Sequence, residues 1–101
     1  MNISVTISGS TAKLSLAGRF DFNVHRVFRD AYYALLQNNE IKTLEMDLAA
    51  VEYLDSSALG MLLLSRERAE AAGKQITLLR PTPTVKQILE IANFGKLFTI
   101  L

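Results

Sequence analysis

The stretch Leu44-Glu45-Met46-Asp47-Leu48, continued by Ala49-Ala50-Val51-Glu52-Tyr53 and Leu54-Asp55-Ser56-Ser57-Ala58-Leu59-Gly60, decides the fold. Leu44, Met46 and Leu48 alternate with Glu45 and Asp47, which is the period of a half-buried strand. Ala49 to Leu54 reads as a connection. From about Ser56 to Ala72 the pattern is helical, and Gly73 stands where a helix end favours left-handed backbone. Ile76 and Leu78 then mark another strand. Strand, helix and strand in that order place the chain in the α/β class.

Working outward, Ile3, Val5 and Ile7 are apolar at every second position, with Asn2, Ser4, Thr6 and Ser8 between them. That predicts a half-buried strand. Gly9-Ser10 turns the chain, and Ala12, Leu14 and Leu16 repeat the alternation up to Ala17-Gly18, so the first two strands are expected to form a hairpin. From about Asn23 to Asn38 the spacing of Val24, Val27, Phe28, Ala31 and Leu35 is helical, with Asn23 as the expected cap. Thr82-Pro83 is a cap followed by proline at the first helical position. Val85, Ile88, Leu89 and Ala92 supply that helix's apolar stripe. Asn93-Phe94-Gly95 ends it, and Leu97, Phe98, Ile100 and Leu101 form a packing tail.

The order is therefore β-β-α-β-α-β-α. A sheet covered on both faces has nearly continuous apolar strands, whereas every strand here carries one polar face. The expectation is a four-stranded mixed sheet with three main helices on one face and the other face wet. The 101 residues form one small domain, 1–101. Half of them are hydrophobic and 21% are charged, unlike a disordered tail.

Composition removes several functions. Eleven basic and ten acidic residues leave a net charge of +1, and the basic residues do not cluster, so direct nucleic-acid binding is not expected. No apolar run approaches the length of about 20 residues that a membrane span needs, and the first residues lack the pattern of a secretory signal. A cytoplasmic protein without membrane insertion is expected. With no cysteine and one histidine, no thiolate chemistry, zinc site or other cofactor is expected. His25 lies beside Arg26, off the apolar stripe, and reads as a solvated surface side chain. No catalytic set can be built around it, so the protein is not expected to be an enzyme. Asp47 falls on the polar side of its strand, as a solvated or hydrogen-bonded charge.

Asp55-Ser56-Ser57 stands where a loop becomes a helix. Both residue types cap helices by accepting from first-turn amides. The same place favours an anion, because the free amides and the helix dipole point at it. A phosphoserine there adds about −1.5 to −2 charges at pH 7, and Asp55 beside it makes the modified surface sharply negative. Ala58, Leu59, Met61, Leu62, Leu63 and Leu64 then cover all sides of the first two turns. Either neighbouring helices bury them, or Met61 or Leu64 is left exposed for a partner.

These residues resemble the STAS domain family, and within it the single-domain bacterial anti-sigma factor antagonists. Gly18-Arg19-Phe20-Asp21 is similar to the family's Gly-x-x-Asp segment. Met46-Asp47-Leu48 and Leu54-Asp55-Ser56-Ser57-Ala58-Leu59-Gly60 are similar to its third strand and Asp-Ser-(Ser/Thr)-Gly signature. Gly73-Lys74-Gln75-Ile76 and Phe94-Gly95-Lys96-Leu97-Phe98 also match its habit. Ala58 departs from the usual glycine; alanine favours a helix by about 1 kcal/mol and does not touch the serine chemistry.

The resemblance implies a STAS-like fold and a binding module. Its implied partners are an anti-sigma factor that is also a serine kinase of the histidine-kinase-like ATPase fold, and an opposing PP2C-type phosphatase. It implies phosphorylation at Ser56, with Ser57 as second choice. The unmodified protein would sequester the anti-sigma factor, and the phosphorylated protein would release it. The expected docking surface comprises Asp21, Asp55, Ser56, Ser57, Ala58, Met61 and Leu64. Divergent family members instead serve as constitutive subunits of complexes such as lipid transporters, and there Ser56 would only cap the helix.

Overall fold

A computed structural model describes all residues, Met1–Leu101. Strands β1 (Asn2–Ser8) and β2 (Thr11–Phe20) form the expected antiparallel hairpin around Gly9, whose φ of 61° suits the turn. Then come α1 (His25–Leu36), β3 (Thr43–Leu54), α2 (Ser56–Ala71), β4 (Gln75–Leu79) and α3 (Pro83–Ile91). A fifth strand, β5 (Thr99–Ile100), closes the chain. The sheet order is β1-β2-β3-β4-β5; only β1 is antiparallel to its neighbour. The mixed α/β sheet is as expected, but it has five strands rather than four. The packing tail supplies the extra one, pairing Thr99 and Ile100 with Thr77 and Leu78.

The core lies on one face of the sheet. Ala12, Leu14, Leu16 and Phe20 of β2 join Leu44, Met46 and Leu48 of β3 and Ile76 and Leu78 of β4 in one buried cluster. Phe28, Tyr32, Leu35 and Leu36 of α1, Ala58, Leu62 and Ala69 of α2, and Val85 and Leu89 of α3 pack into that same cluster. The other face carries Thr11, Lys13, Ser15, Arg19, Glu45, Gln75 and Thr99, which are exposed or half-buried. On it the Arg19 guanidinium lies 5.0 Å from the ring centre of its register neighbour Tyr53.

Strand β3 corrects the expectation that Ala49 to Leu54 is a connection: these residues continue the strand. The register with β2 shifts twice, from Ser15↔Asp47 to Ala17↔Ala50 and from Gly18↔Val51 to Arg19↔Tyr53. Each shift inserts one extra residue into β3. The buried residues therefore run Leu48, Val51, Leu54, a spacing of three that no longer reads as a strand. For the same reason β2 extends past Ala17-Gly18 to Phe20.

Two further differences concern α1 and β1. The chain enters α1 through one turn of 3-10 helix, Phe22–Val24, capped by Asp21 and not by Asn23. Val27 is exposed, while Tyr32 and Leu36 take its expected place in the core. In β1, Ile3 is half-buried against the core, but Val5 and Ile7 are 44% and 54% exposed, so the apolar face is buried at one end only. Their register partners Leu14 and Ala12 lie in the core.

Candidate functional site

Phe20 and Leu54 are register partners at the C-terminal ends of the parallel strands β2 and β3. The residues that follow them, Asp21 and Asp55, therefore leave the sheet side by side. Each caps the turn it starts. The Asp21 carboxylate accepts from the Asn23 amide at 3.0 Å, and the Asp55 carboxylate accepts from the Ala58 amide at 2.9 Å. The Asp55 amide in turn donates to the Phe20 carbonyl at 3.3 Å, tying the second turn to the first strand.

Capping by Asp55 decides what the serines do. Ser56 is the first residue of α2 and is exposed; Ser57, the second, is half-buried. The cap bond belongs to the aspartate, so the Ser56 hydroxyl is not needed to satisfy the helix start. First-turn amides that Asp55 does not take up remain at this end of α2, with the positive end of the helix dipole.

Helix α2 settles which apolar residues face out. Its buried stripe is Ala58, Leu62, Ser65 and Ala69, with the Ser65 hydroxyl donating to the Leu62 carbonyl at 2.6 Å. Ala58 is fully buried, so its side chain packs inward and presents nothing to a partner. This corrects its place among the expected docking residues. Met61 is half-buried and Leu64 is 41% exposed.

Met61 and Leu64 line a shallow groove between α1 and α2 together with Ser57, Gly60, Phe22 and His25. Phe22 does not stand out in the sequence, and His25 reads there only as a solvated surface side chain. Phe22 is 64% exposed and stacks on the His25 ring, with centres 5.0 Å apart and planes at 25°. The His25 Nδ1–H donates to the Phe22 carbonyl at 3.2 Å. The available signal was a phenylalanine outside the helical stripe, directly after Asp21. His25 is exposed, as expected, and forms part of this groove wall.

Asp47 lies outside the groove. It is buried on the polar sheet face, where its carboxylate accepts from the Ala49 amide at 3.0 Å and pairs with Arg80. The first bond holds the bulge that follows Asp47. Burial pushes the carboxyl upward, but the Arg80 hydrogen bond, the Ala49 amide and the charges of Arg80 and Lys13 outweigh it. Asp47 is held below the usual carboxylate value. Arg80 itself adopts a left-handed backbone, φ 51°.

No three His, Cys, Asp or Glu side chains come together as a metal-holding group. No helix is long and apolar enough to cross a membrane. What the fold and site define is a small α/β module with an exposed serine at a helix start and an apolar groove beside it.

The chain belongs to the STAS domain family: a family model described as "Mlab, STAS domain" matches residues 3–101. It is 45% identical over 94 residues to a STAS-domain containing protein of Pseudomonas aeruginosa (strain UCBPP-PA14), covering 91% of this chain and 89% of that one. It is 24% identical over 89 residues to the anti-sigma F factor antagonist of Lysinibacillus sphaericus, covering 88% of this chain and 76% of that one. The fold is similar to that of the Bacillus anti-sigma factor antagonist SpoIIAA. The unphosphorylated form gives a TM-score of 0.82 at 20% identity, over 99% of this chain and 88% of SpoIIAA. The phosphorylated form gives 0.75 at 19% identity, over 99% and 91%.

Proposed function

We propose that this chain is an anti-sigma-factor-antagonist-type binding module whose hold on its partner is switched by phosphorylation of Ser56. The observation that carries this reading is the division of labour at the start of α2. Asp55 performs the capping, and the adjacent Ser56 is exposed and free to be modified without loss of the cap. A phosphate on Ser56 would sit at the positive end of α2, so the helix start need not refold to hold it. It would also add about −1.5 to −2 charges next to Asp55 and Asp21. The partner that meets this surface in the unmodified state is an anti-sigma factor with serine-kinase activity, and a PP2C-type phosphatase restores binding. The docking surface comprises Asp21, Asp55, Ser56, Ser57, Met61 and Leu64, with Phe22 and His25 added from the groove. In this reading the module acts in the cytoplasm, as a binding protein and not a catalyst.

The test is phosphopeptide mapping of the protein isolated from its native cell, joined to pull-down with mass spectrometry. A phosphate on Ser56 together with a kinase-like partner supports the switch. An unmodified Ser56 under conditions that toggle partner binding overturns it. A transporter ATPase as the captured partner would instead support a constitutive subunit of a larger complex.

A further inference from the structure

The outer strand of the sheet carries a pattern that its own fold does not use. Strand β1 alternates Ile3, Val5 and Ile7 with Ser4 and Thr6, the signature of a strand with one buried face. That face lies on the helix side, beside Leu16, Leu14 and Ala12; Ile3 packs half-buried against the core, while Val5 and Ile7 remain exposed. Strand β1 is also the free edge of the sheet. Edge strands are usually guarded against pairing by a charge, a proline or a bulge. Asn2–Ser8 holds no charged residue and no proline, and its seven residues pair with β2 in unbroken register.

The order of side chains selects the occupant. Turned antiparallel to itself about Val5, the segment Asn2-Ile3-Ser4-Val5-Thr6-Ile7-Ser8 sets Val5 opposite Val5, Ile3 opposite Ile7, Ser4 opposite Thr6 and Asn2 opposite Ser8. Apolar residues meet apolar ones on one face, and polar residues meet polar ones on the other. A two-fold interface requires that kind of self-complementarity, and such cross-strand pairs are the favourable ones.

We infer that β1 is an interface for a second copy of this chain, joined edge to edge by antiparallel β1–β1 pairing with Val5 on the two-fold axis. The joined sheet has ten strands, and Ile3, Val5 and Ile7 of both copies form one apolar strip on the helix side. Because β1 runs antiparallel to β2, the end of β1 that lies toward the C-terminal end of β2 is Asn2. The two-fold places that end against Ser8 of the other copy. The two Ser56 surfaces therefore lie at opposite ends of the joined sheet, so the dimer presents two docking surfaces. The interface is independent of whether Ser56 is phosphorylated.

Sedimentation equilibrium of the full chain from micromolar to millimolar concentration tests this. The expected result is a reversible monomer–dimer equilibrium. Val5→Lys, which sets like charges opposite each other on the axis, weakens the dimer by at least about tenfold. Val5→Glu does the same, and mixing the two variants restores association. Circular dichroism verifies that each variant is folded, as the exposure of Val5 leads one to expect. Since the chain has no cysteine, Val5→Cys provides a second readout: under oxidation it cross-links copies of the chain, whereas Gln87→Cys on the exposed side of α3 does not. A monomer at millimolar concentration overturns the inference. So does a dimer that survives Val5→Lys, or equal cross-linking at both positions.

Discussion

The Asp55 carboxylate accepts a hydrogen bond from the Ala58 amide at 2.9 Å, spanning the exposed Ser56 between them. The aspartate supplies the cap, so the helix start does not rest on the serine hydroxyl.

That separation makes a stability prediction. Asp55→Ala removes the cap at a cost of about 1 kcal/mol. In a domain of this size that lowers Tm by about 4–8 °C. Ser56→Ala leaves stability within about 0.5 kcal/mol of the wild type. Thermal unfolding followed by circular dichroism compares them; equal losses at both positions would show that Ser56 shares the capping.

Partner binding should respond in the opposite way. Ser56→Ala holds the partner whether or not kinase and ATP are present. Ser56→Asp weakens binding only in part, since one carboxylate supplies less charge than a phosphate. Leu64→Ala, at a groove position that is 41% exposed, weakens the complex by about 1 kcal/mol or more while leaving stability within about 0.5 kcal/mol. Calorimetric titration against the isolated partner measures all three.

Asp47 makes stability depend on pH. Its folded-state pKa is depressed, so the stabilisation it provides is complete above the unfolded carboxylate value, about 3.9. It is lost as pH falls through the lower folded value. Arg80→Ala removes the main source of the depression. The carboxyl then faces its burial with less compensation, its pKa rises, and acid unfolding moves to higher pH. Urea titrations between neutral pH and pH 3 test this, and an unchanged acid limb would remove Arg80 from the account.

The aromatic spine of α1 sets the sharpest folding prediction. Phe28 lies between Phe20 and Tyr32, with ring centres 4.9 and 5.2 Å away, and is fully buried. Phe28→Ala leaves a cavity there and costs about 3–5 kcal/mol. Val27→Ala, one residue away but exposed, costs far less. Chemical denaturation of the two variants separates stripe from surface.

What was legible in the residue order was whatever depends on neighbours close along the chain. The alternation of Leu14 and Leu16, and of Leu44, Met46 and Leu48, shows which face of a strand is apolar. Thr82-Pro83 and Gly73 mark helix ends because capping and left-handed backbone are local matters. The Asp55-Ser56 pair stood out for the same reason. What the order concealed depends on residues far apart. The bulges in β3 exist only relative to β2, so Val51 and Leu54 could not be assigned to a strand from their spacing. The fifth strand is two residues long and is a strand only because β4 lies beside it. That Asp21 and not Asn23 caps the turn, and that Tyr32 and not Val27 enters the core, is seen only in the folded chain. The groove of Phe22, His25, Ser57 and Leu64 appears only when α1 and α2 pack side by side. Local chemistry determined the elements and the serine at a helix start; long-range packing decided which of their faces water, or another protein, can reach.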